Sequence, residues 1–83
     1  MSKFSTFDIE GDGPIVYRVE FLPYKVDEMR VFYPPKRYIG AGEYRVENGA
    51  LVFYDDEEKV ATFAAGAWLA VTREGLADDM EGE

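Results

Sequence analysis

Apolar and polar side chains alternate along most of this 83-residue chain, and this period of two limits the folds that it can adopt. Side chains of a β-strand point alternately to opposite faces, whereas an amphipathic helix repeats its apolar positions every three to four residues. The alternating runs end at Gly, Pro, Asn or Asp, which favour turns. No stretch of a dozen residues carries a helical stripe. The sequence therefore predicts an all-β domain built as a meander.

The clearest predicted strand covers residues 15–22, whose apolar side chains alternate with Val16, Arg18 and Glu20. Pro23 ends this strand, because proline cannot donate a hydrogen bond to a strand ladder. The stretch 64–72 is also rich in helix formers, so it stays open between a strand and a short helix. Further strands are predicted at residues 4–10, 29–33, 59–64 and 68–72.

A hairpin is predicted at Asn48 and Gly49, a dipeptide suited to the two positive φ angles of a type I′ turn. A two-residue loop also fixes the register of the two strands. The predicted pairs are Glu47 with Ala50, Val46 with Leu51, Arg45 with Val52 and Tyr44 with Phe53.

Six to seven short antiparallel strands predict a small antiparallel barrel of the SH3-like or OB-like kind, with a compact β-sandwich as the alternative. The chain lacks cysteine, so its stability must come from packing of its Phe, Tyr and Trp side chains rather than from disulfides. Residues 1–73 are expected to form the single β domain. Residues 74–83 are expected to be an acidic, flexible and disordered tail.

The net charge of -8 is spread unevenly, since residues 1–50 hold eight acids and seven bases, whereas residues 51–83 hold nine acids and two bases. Free nucleic acid and anionic membranes need a clustered positive surface, so neither is an expected partner. No segment has the roughly 20 apolar residues of a membrane span, and no signal peptide is recognisable. A cytoplasmic location is expected.

Catalysis is not expected, because a chain without Cys or His offers neither a thiolate nor an imidazole base. No cofactor is predicted. Residues 8–13 have acids and a glycine at the spacing of a calcium-binding EF-hand loop. Val19, however, occupies the position at which that loop needs a bidentate Glu. An acidic turn is therefore predicted here, and no metal site. Gly40 and Gly42 lack the third glycine of a dinucleotide loop and predict a bend or bulge.

A binding surface is predicted on the loop 36–39 and on exposed strand edges, and this loop lies in residues 34–42, the longest irregular segment of the body. Prolines stiffen this segment, and it places bases beside aromatic and apolar residues, a combination found at binding hot spots. The alternative puts Tyr38 and Ile39 into the core and leaves the bases solvated. The predicted partner-binding residues are Arg30, Lys36, Arg37, Tyr38 and Ile39.

Two further surfaces follow from the alternation and the charge. Val16, Phe32, Val52 and Tyr54 alternate with the predicted core residues, so they form an apolar outer patch unless another element covers them. The acidic run 55–58 could imitate the phosphates of a nucleic acid, with simple solvation as the alternative. The residues of this possible mimic surface are Asp55, Asp56, Glu57 and Glu58.

A hairpin-plus-tryptophan pattern in residues 46–71 resembles small uncharacterised β-rich accessory proteins of bacteriophages and their bacterial hosts. The residues that carry the resemblance are Val46, Gly49, Leu51, Phe53, Tyr54, Asp55, Val60, Ala61, Phe63, Gly66, Trp68 and Val71. The resemblance implies an accessory protein that binds a host protein, in the host cytoplasm, to blunt a defence system or redirect a host enzyme. It carries over no catalytic or binding residues.

These observations favour a non-catalytic protein-interaction module. Two alternatives remain open. One is an acidic nucleic-acid mimic that blocks a DNA-binding or RNA-binding protein. The other is a structural subunit of a larger assembly, which would make homo-oligomers, because strand edges are suited to self-association.

Overall fold

The computed structural model describes residues 9–77, and it confirms the all-β class. Within that range nine strands form, more than the six to seven predicted, because two short strands lie where the sequence predicts connections. Residues 4–8 of the predicted first strand lie outside the described residues. The strands are β1 (Ile9–Glu10), β2 (Ile15–Phe21), β3 (Tyr24–Asp27), β4 (Arg30–Phe32), β5 (Arg37–Ala41), β6 (Glu43–Glu47), β7 (Ala50–Asp55), β8 (Glu58–Phe63) and β9 (Trp68–Leu76).

The nine strands form three sheets. A four-stranded sheet has the order β1-β5-β2-β9, in which β1 runs parallel to β5 and the other neighbours are antiparallel. A three-stranded meander has the order β6-β7-β8, and β3 pairs with β4 alone. The predicted small barrel is not confirmed, since the described strands pair as separate sheets, and the two larger ones share a core as in a sandwich.

The core lies between the two larger sheets, and each contributes one face to it. Only Gly42 separates β5 from β6, so the chain passes directly from one sheet into the other. Aromatic rings dominate the contact, with centroid distances of 5.5 Å between Tyr17 and Phe53 and 6.2 Å between Phe53 and Phe63. The buried core residues are Tyr17, Val19, Ile39, Ala41, Leu51, Phe53 and Phe63.

The predicted hairpin at Asn48 and Gly49 is confirmed in turn and in register. Asn48 has a φ of 52° and Gly49 a φ of 85°, the two positive angles of the expected turn. All four predicted pairs occur. Local turn chemistry alone therefore determines this element.

The chain after residue 67 is a strand rather than a helix, and it is longer than predicted. β9 continues to Leu76, which lies opposite Ile15, while Gly75 lies opposite Val16. The strand thus runs past residue 73, where the sequence analysis places the end of the domain, and Gly75 and Leu76 pair with β2. Residues 78–83 of the predicted tail lie outside the described residues.

The predicted irregular segment 34–42 is also mostly strand. Arg37–Ala41 forms β5 in the middle of the four-stranded sheet, and only residues 33–36 connect it to β4. The two prolines end one strand as expected, but the chain resumes pairing directly after Lys36. Of the two glycines, Gly42 forms a bend between β5 and β6, as predicted, whereas Gly40 lies within β5.

Gly40 lies under a chain crossing. The Gly11–Gly13 stretch leads from β1, on one side of β5, to β2 on the other. A Cβ added to Gly40 would lie 3.0 Å from the Gly11 carbonyl oxygen, and one added to Gly13 would lie 2.2 Å from the Cα of Ala41. The two glycine-rich stretches of the sequence therefore serve one purpose, which is the close approach of two backbones.

Candidate functional site

The β3–β4 hairpin, residues 24–32, stands apart from the core, and we call it the arm. Each of its residues is exposed. It nevertheless carries five large apolar side chains, and Met29 at the turn is 91% exposed. Single exposed apolar residues are ordinary on protein surfaces, whereas several on one short hairpin are unusual. These residues are Tyr24, Val26, Met29, Val31 and Phe32, of which Tyr24 and Phe32 share one face of the hairpin and Val31 lies on the other.

Side-chain contacts stiffen both ends of the arm. At its base the rings of Tyr24 and Phe32 pack at a centroid distance of 5.4 Å. At its turn Asp27 accepts hydrogen bonds from the Met29 amide and the Arg30 Nε, each at 2.8 Å. The Arg30 hydrogen bond lowers the pKa of Asp27, so the carboxylate stays charged. The turn is therefore held in shape although all of its residues are exposed.

A cleft of about 320 Å³ lies at the base of the arm. Its wall is mainly apolar and includes Leu22, Tyr24 and the prolines at positions 34 and 35. The Leu22 amide donates to the Ala67 carbonyl at 3.0 Å, which fixes the arm's root to the loop before β9. Arg37 adds a single guanidinium to the lining. Tyr24 belongs to both the arm and the cleft lining, so the two features meet at this residue.

Arg37, a predicted site residue, contacts both a carboxylate and an aromatic ring. Its Nε donates to Glu10 at 2.7 Å, and a second guanidinium nitrogen contacts the other carboxylate oxygen. The guanidinium also lies 5.0 Å from the centre of the Phe63 ring. Hydrogen bonding from Arg37 lowers the pKa of Glu10, and the same pair raises the pKa of Arg37. Arg37 therefore ties β1 to β5 as well as lining the cleft.

The other predicted partner-binding residues are dispersed. Arg30 lies at the turn of the arm and Lys36 is exposed in the connection between β4 and β5. Tyr38 is half-buried on β5. Ile39 is 1% exposed and belongs to the core, so its assignment as a contact residue is wrong. Successive side chains of a strand point to opposite faces, so Ile39 faces the core and the neighbouring Tyr38 faces away from it.

Sequence reasoning missed Tyr24 and Val26, because it predicted no strand between Pro23 and Met29. It also expected one face of residues 29–33 to be buried, whereas both faces of the arm are exposed. One signal was available. Prolines bracket residues 24–33 closely on both sides, and proline is depleted in the interior of a sheet.

The predicted apolar outer patch is largely absent. Val16, Val52 and Tyr54 are buried, and only Phe32 is exposed, as part of the arm. Tyr54 donates its hydroxyl proton to Glu47 at 2.6 Å, which raises the pKa of the phenol. The Arg45 guanidinium covers the ring at 4.4 Å. Two charged side chains of the same sheet therefore cover Tyr54.

The predicted acidic surface forms the β7–β8 turn. Asp56 and Glu57 have φ angles of 52° and 70°, so both adopt the left-handed conformation that glycine and asparagine favour. The Gly42 amide donates to the Tyr54 carbonyl at 2.8 Å, which places this turn beside the junction of the two sheets. Asp55 ends β7 and Glu58 begins β8, and Asp56 and Glu57 form the two-residue turn between them. Their role as a nucleic-acid mimic stays a prediction.

Comparison of the chain with models of protein families, with curated proteins and with solved structures found no match. Among residues 9–77 no three acidic side chains are grouped so that they could hold a metal ion. The same residues contain no helix with the length and apolar character that crossing a membrane requires.

Proposed function

We propose that this protein is a non-catalytic protein-interaction module that binds its partner with the arm and the cleft at its base. The observation that carries the proposal is the exposure of the whole arm together with its five large apolar side chains. Burying one such side chain contributes about 1.5–3 kcal/mol, so this surface can supply substantial binding energy. Its aromatic and Met side chains are types enriched at interfaces.

The architecture of the arm supports the same function. A two-stranded hairpin without a covering layer is only marginally stable in water. Here the Asp27 contacts and the Leu22 amide hold it in position, so less conformational entropy is lost on binding. The resemblance to phage accessory proteins extends the proposal to a host protein as the partner, which the module would inhibit or redirect in the host cytoplasm.

A capture experiment with paired variants tests the proposal. The immobilised protein is exposed to host lysate, and retained proteins are identified by mass spectrometry. Met29→Ser with Phe32→Ser removes apolar surface from the arm. The matched control is Val46→Ser with Val60→Ser, which removes exposed apolar surface from the three-stranded sheet and touches neither arm nor cleft lining.

We expect the arm variant to lose at least about tenfold in affinity for the retained protein and the control variant to bind like the wild type, because hot spots are local. Equal binding by all three proteins would show that the arm is not the contact surface. Equal loss by both variants would point to general surface stickiness instead. Either result rejects the proposal.

A further inference from the structure

β1 enters the four-stranded sheet from the end at which the cleft lies. It runs parallel to β5, with Ile9 opposite Tyr38. Continued at the same register, the residue before Ile9 comes to lie opposite Arg37, which lines the cleft. Each strand residue advances the chain by about 3.3 Å, so residue 4 lies within roughly 17 Å of Ile9. The parallel pairing thus brings the segment 4–8 to the mouth of the cleft.

The cleft opens on the core side of the four-stranded sheet. Two residues of its lining contact the core ring of Phe63, Arg37 at 5.0 Å from the ring centre and Phe21 at a centroid distance of 5.2 Å. The Glu10 carboxylate accepts a hydrogen bond from Arg37, so the Glu10 side chain lies on the same side. In a continued strand the side chains at positions 8, 6 and 4 share the side of Glu10.

Phe4 is the one apolar side chain among those three positions, since the other two are Asp8 and Thr6. Phe7 is the second aromatic residue of the segment, but the period of two assigns it to the face of Ile9, away from the core. Neither Gly nor Pro interrupts residues 1–10, so an extension of β1 towards the cleft meets no strand breaker.

The cleft suits a single aromatic ring. Its volume of about 320 Å³ is at the small end of the range for ligand pockets. Its wall is mainly apolar, and the one guanidinium in the lining, that of Arg37, already pairs with Glu10. An occupant therefore needs no charge, and an aromatic side chain would remove about 150–250 Å² of its surface from water there.

We infer that the segment 4–8 of this chain continues β1 past Arg37 and places the Phe4 ring in the cleft. A partner that uses the cleft must then displace this ring, so the segment regulates the binding surface. The regulatory role rests on the proposed function, whereas occupation of the cleft does not. The tether also favours the chain's own segment over that of a second copy, because a short linker gives an effective concentration in the millimolar range.

A single thiol placed in the cleft tests its occupation. The chain contains no cysteine, so Ala67→Cys, at an exposed position of the cleft lining, introduces the only reactive thiol. Its reaction rate with iodoacetamide is measured in the otherwise unchanged chain, with Phe4→Ser and with Phe7→Ser. The third protein is the matched control, because it loses the same ring from the same segment but from the opposite face. Circular dichroism first shows that each protein is folded.

We expect Phe4→Ser to raise the reaction rate at least about tenfold, because burial of an aromatic side chain favours the covered cleft by at least that factor. Phe7→Ser should leave the rate close to that of the unchanged segment. The rates should not vary with protein concentration, since the covering segment belongs to the same chain.

Three results of this experiment overturn the inference. Equal rates in the three proteins would mean that Phe4 does not cover the cleft. A faster reaction in Phe7→Ser alone would place the other ring there. Protection that disappears on dilution would identify the segment of a second copy as the occupant.

A measurement on the unsubstituted protein does not depend on how the variants fold. Leu22 lines the cleft, so nuclear Overhauser contacts are expected between its methyl groups and the ring protons of Phe4. Contacts from Leu22 to the Phe7 ring instead, or to neither ring, would overturn the inference.

The capture experiment separates the inference from the proposed function. An uncovered cleft together with arm-dependent capture of a host protein rejects the inference alone. A covered cleft without arm-dependent capture rejects the proposed function alone. Where both hold, Phe4→Ser should retain more of the host protein than the wild type does. Weaker retention would make the segment part of the binding surface and would reject its role as a competitor.

Discussion

Phe53 and Phe32 are the same residue type in opposite environments. Phe53 is 0% exposed between the two sheets, whereas Phe32 is 44% exposed on the arm. We expect Phe53→Ala to lower the free energy of unfolding by about 3–5 kcal/mol, because it leaves a cavity in the core. Phe32→Ala should lower it by less than about 1 kcal/mol. Urea denaturation followed by Trp68 fluorescence measures both changes.

Each phenylalanine variant serves as the control for the other, because both substitutions remove the same atoms. A large loss of stability in Phe32→Ala would mean that the arm packs on the body. A small loss in Phe53→Ala would mean that the core is not where the two sheets meet.

Gly13 is the backbone position with the least room for a side chain. Ala at this position would place its Cβ 2.2 Å from the Cα of Ala41, closer than atoms can approach. We expect Gly13→Ala to prevent folding or to displace β1 from the sheet. A Cβ added at Gly66 would meet nothing within 4 Å, so only the φ of +87° is unfavourable for Ala. Gly66→Ala should therefore lower the free energy of unfolding by about 1 kcal/mol. The soluble yield and the thermal unfolding temperature are measured for both variants. Similar values for the two would contradict the close approach of Gly13 to Ala41.

The ion pair of Glu10 and Arg37 should make stability depend on pH. Its hydrogen bonds hold the pKa of Glu10 below the ordinary value of 4.5. The stabilisation is therefore present above that value and is lost as the pH falls through the lowered pKa of the folded state. Both side chains are about half exposed, so solvent screening limits the effect to at most about 1 kcal/mol.

The matching variant is Glu10→Gln, which keeps the shape of the side chain and removes its charge. We expect it to unfold more easily than the wild type at neutral pH and equally easily near pH 2. Chemical denaturation at a series of pH values measures the difference. A constant difference across the series would mean that Glu10 does not titrate in the pair.

At the scale of elements, the arm should be dispensable for folding. None of its residues belongs to the core, and the hydrogen bond from Leu22 to Ala67 lies outside it. We expect replacement of residues 24–32 by a short Gly/Ser linker to leave the unfolding free energy within about 1 kcal/mol of the wild type, because surface changes rarely cost more. Urea denaturation tests this, and collapse of the fold would show that the arm supports the body.

The elements differ in how far the sequence determines them. The hairpin at Asn48 and Gly49 was predicted in full, because its turn chemistry and its register are local. The pairing of β2 with β9 and the parallel pairing of β1 with β5 join distant segments, and alternation alone does not specify partners. The prediction for the arm was wrong for a different reason. Alternation shows that a strand has two faces but not whether the fold supplies anything to cover them.

The candidate site was predictable to the same limited extent. Arg37 lines the cleft and Arg30 lies on the arm, so two of the five predicted partner-binding residues belong to the candidate site. Ile39 is in the core because β5 became a central strand, which depends on the β2 and β1 pairings on its two sides. Long-range pairing thus decides whether a side chain faces the core or the solvent.

At the scale of the whole molecule, local stability should fall from the core towards the arm. Residues 51–54 of β7 are buried consecutively, whereas every arm residue is exposed. We expect amide hydrogens of β7 to exchange only on global unfolding and those of β3 and β4 to exchange orders of magnitude faster. Hydrogen exchange followed by mass spectrometry measures this order. Arm amides as protected as those of β7 would mean that a partner or a second copy already covers the arm.

The four-stranded sheet draws its strands from the beginning, the middle and the end of the chain, whereas the β6–β8 meander uses consecutive residues. On the ribosome the meander is complete before β9 has been synthesised. Until then β2 has β5 on one side and an open edge on the other, and an open edge invites pairing with a neighbouring chain. A message truncated before Trp68 would therefore yield a product prone to aggregation, because β9 covers an edge of β2, which is synthesised much earlier.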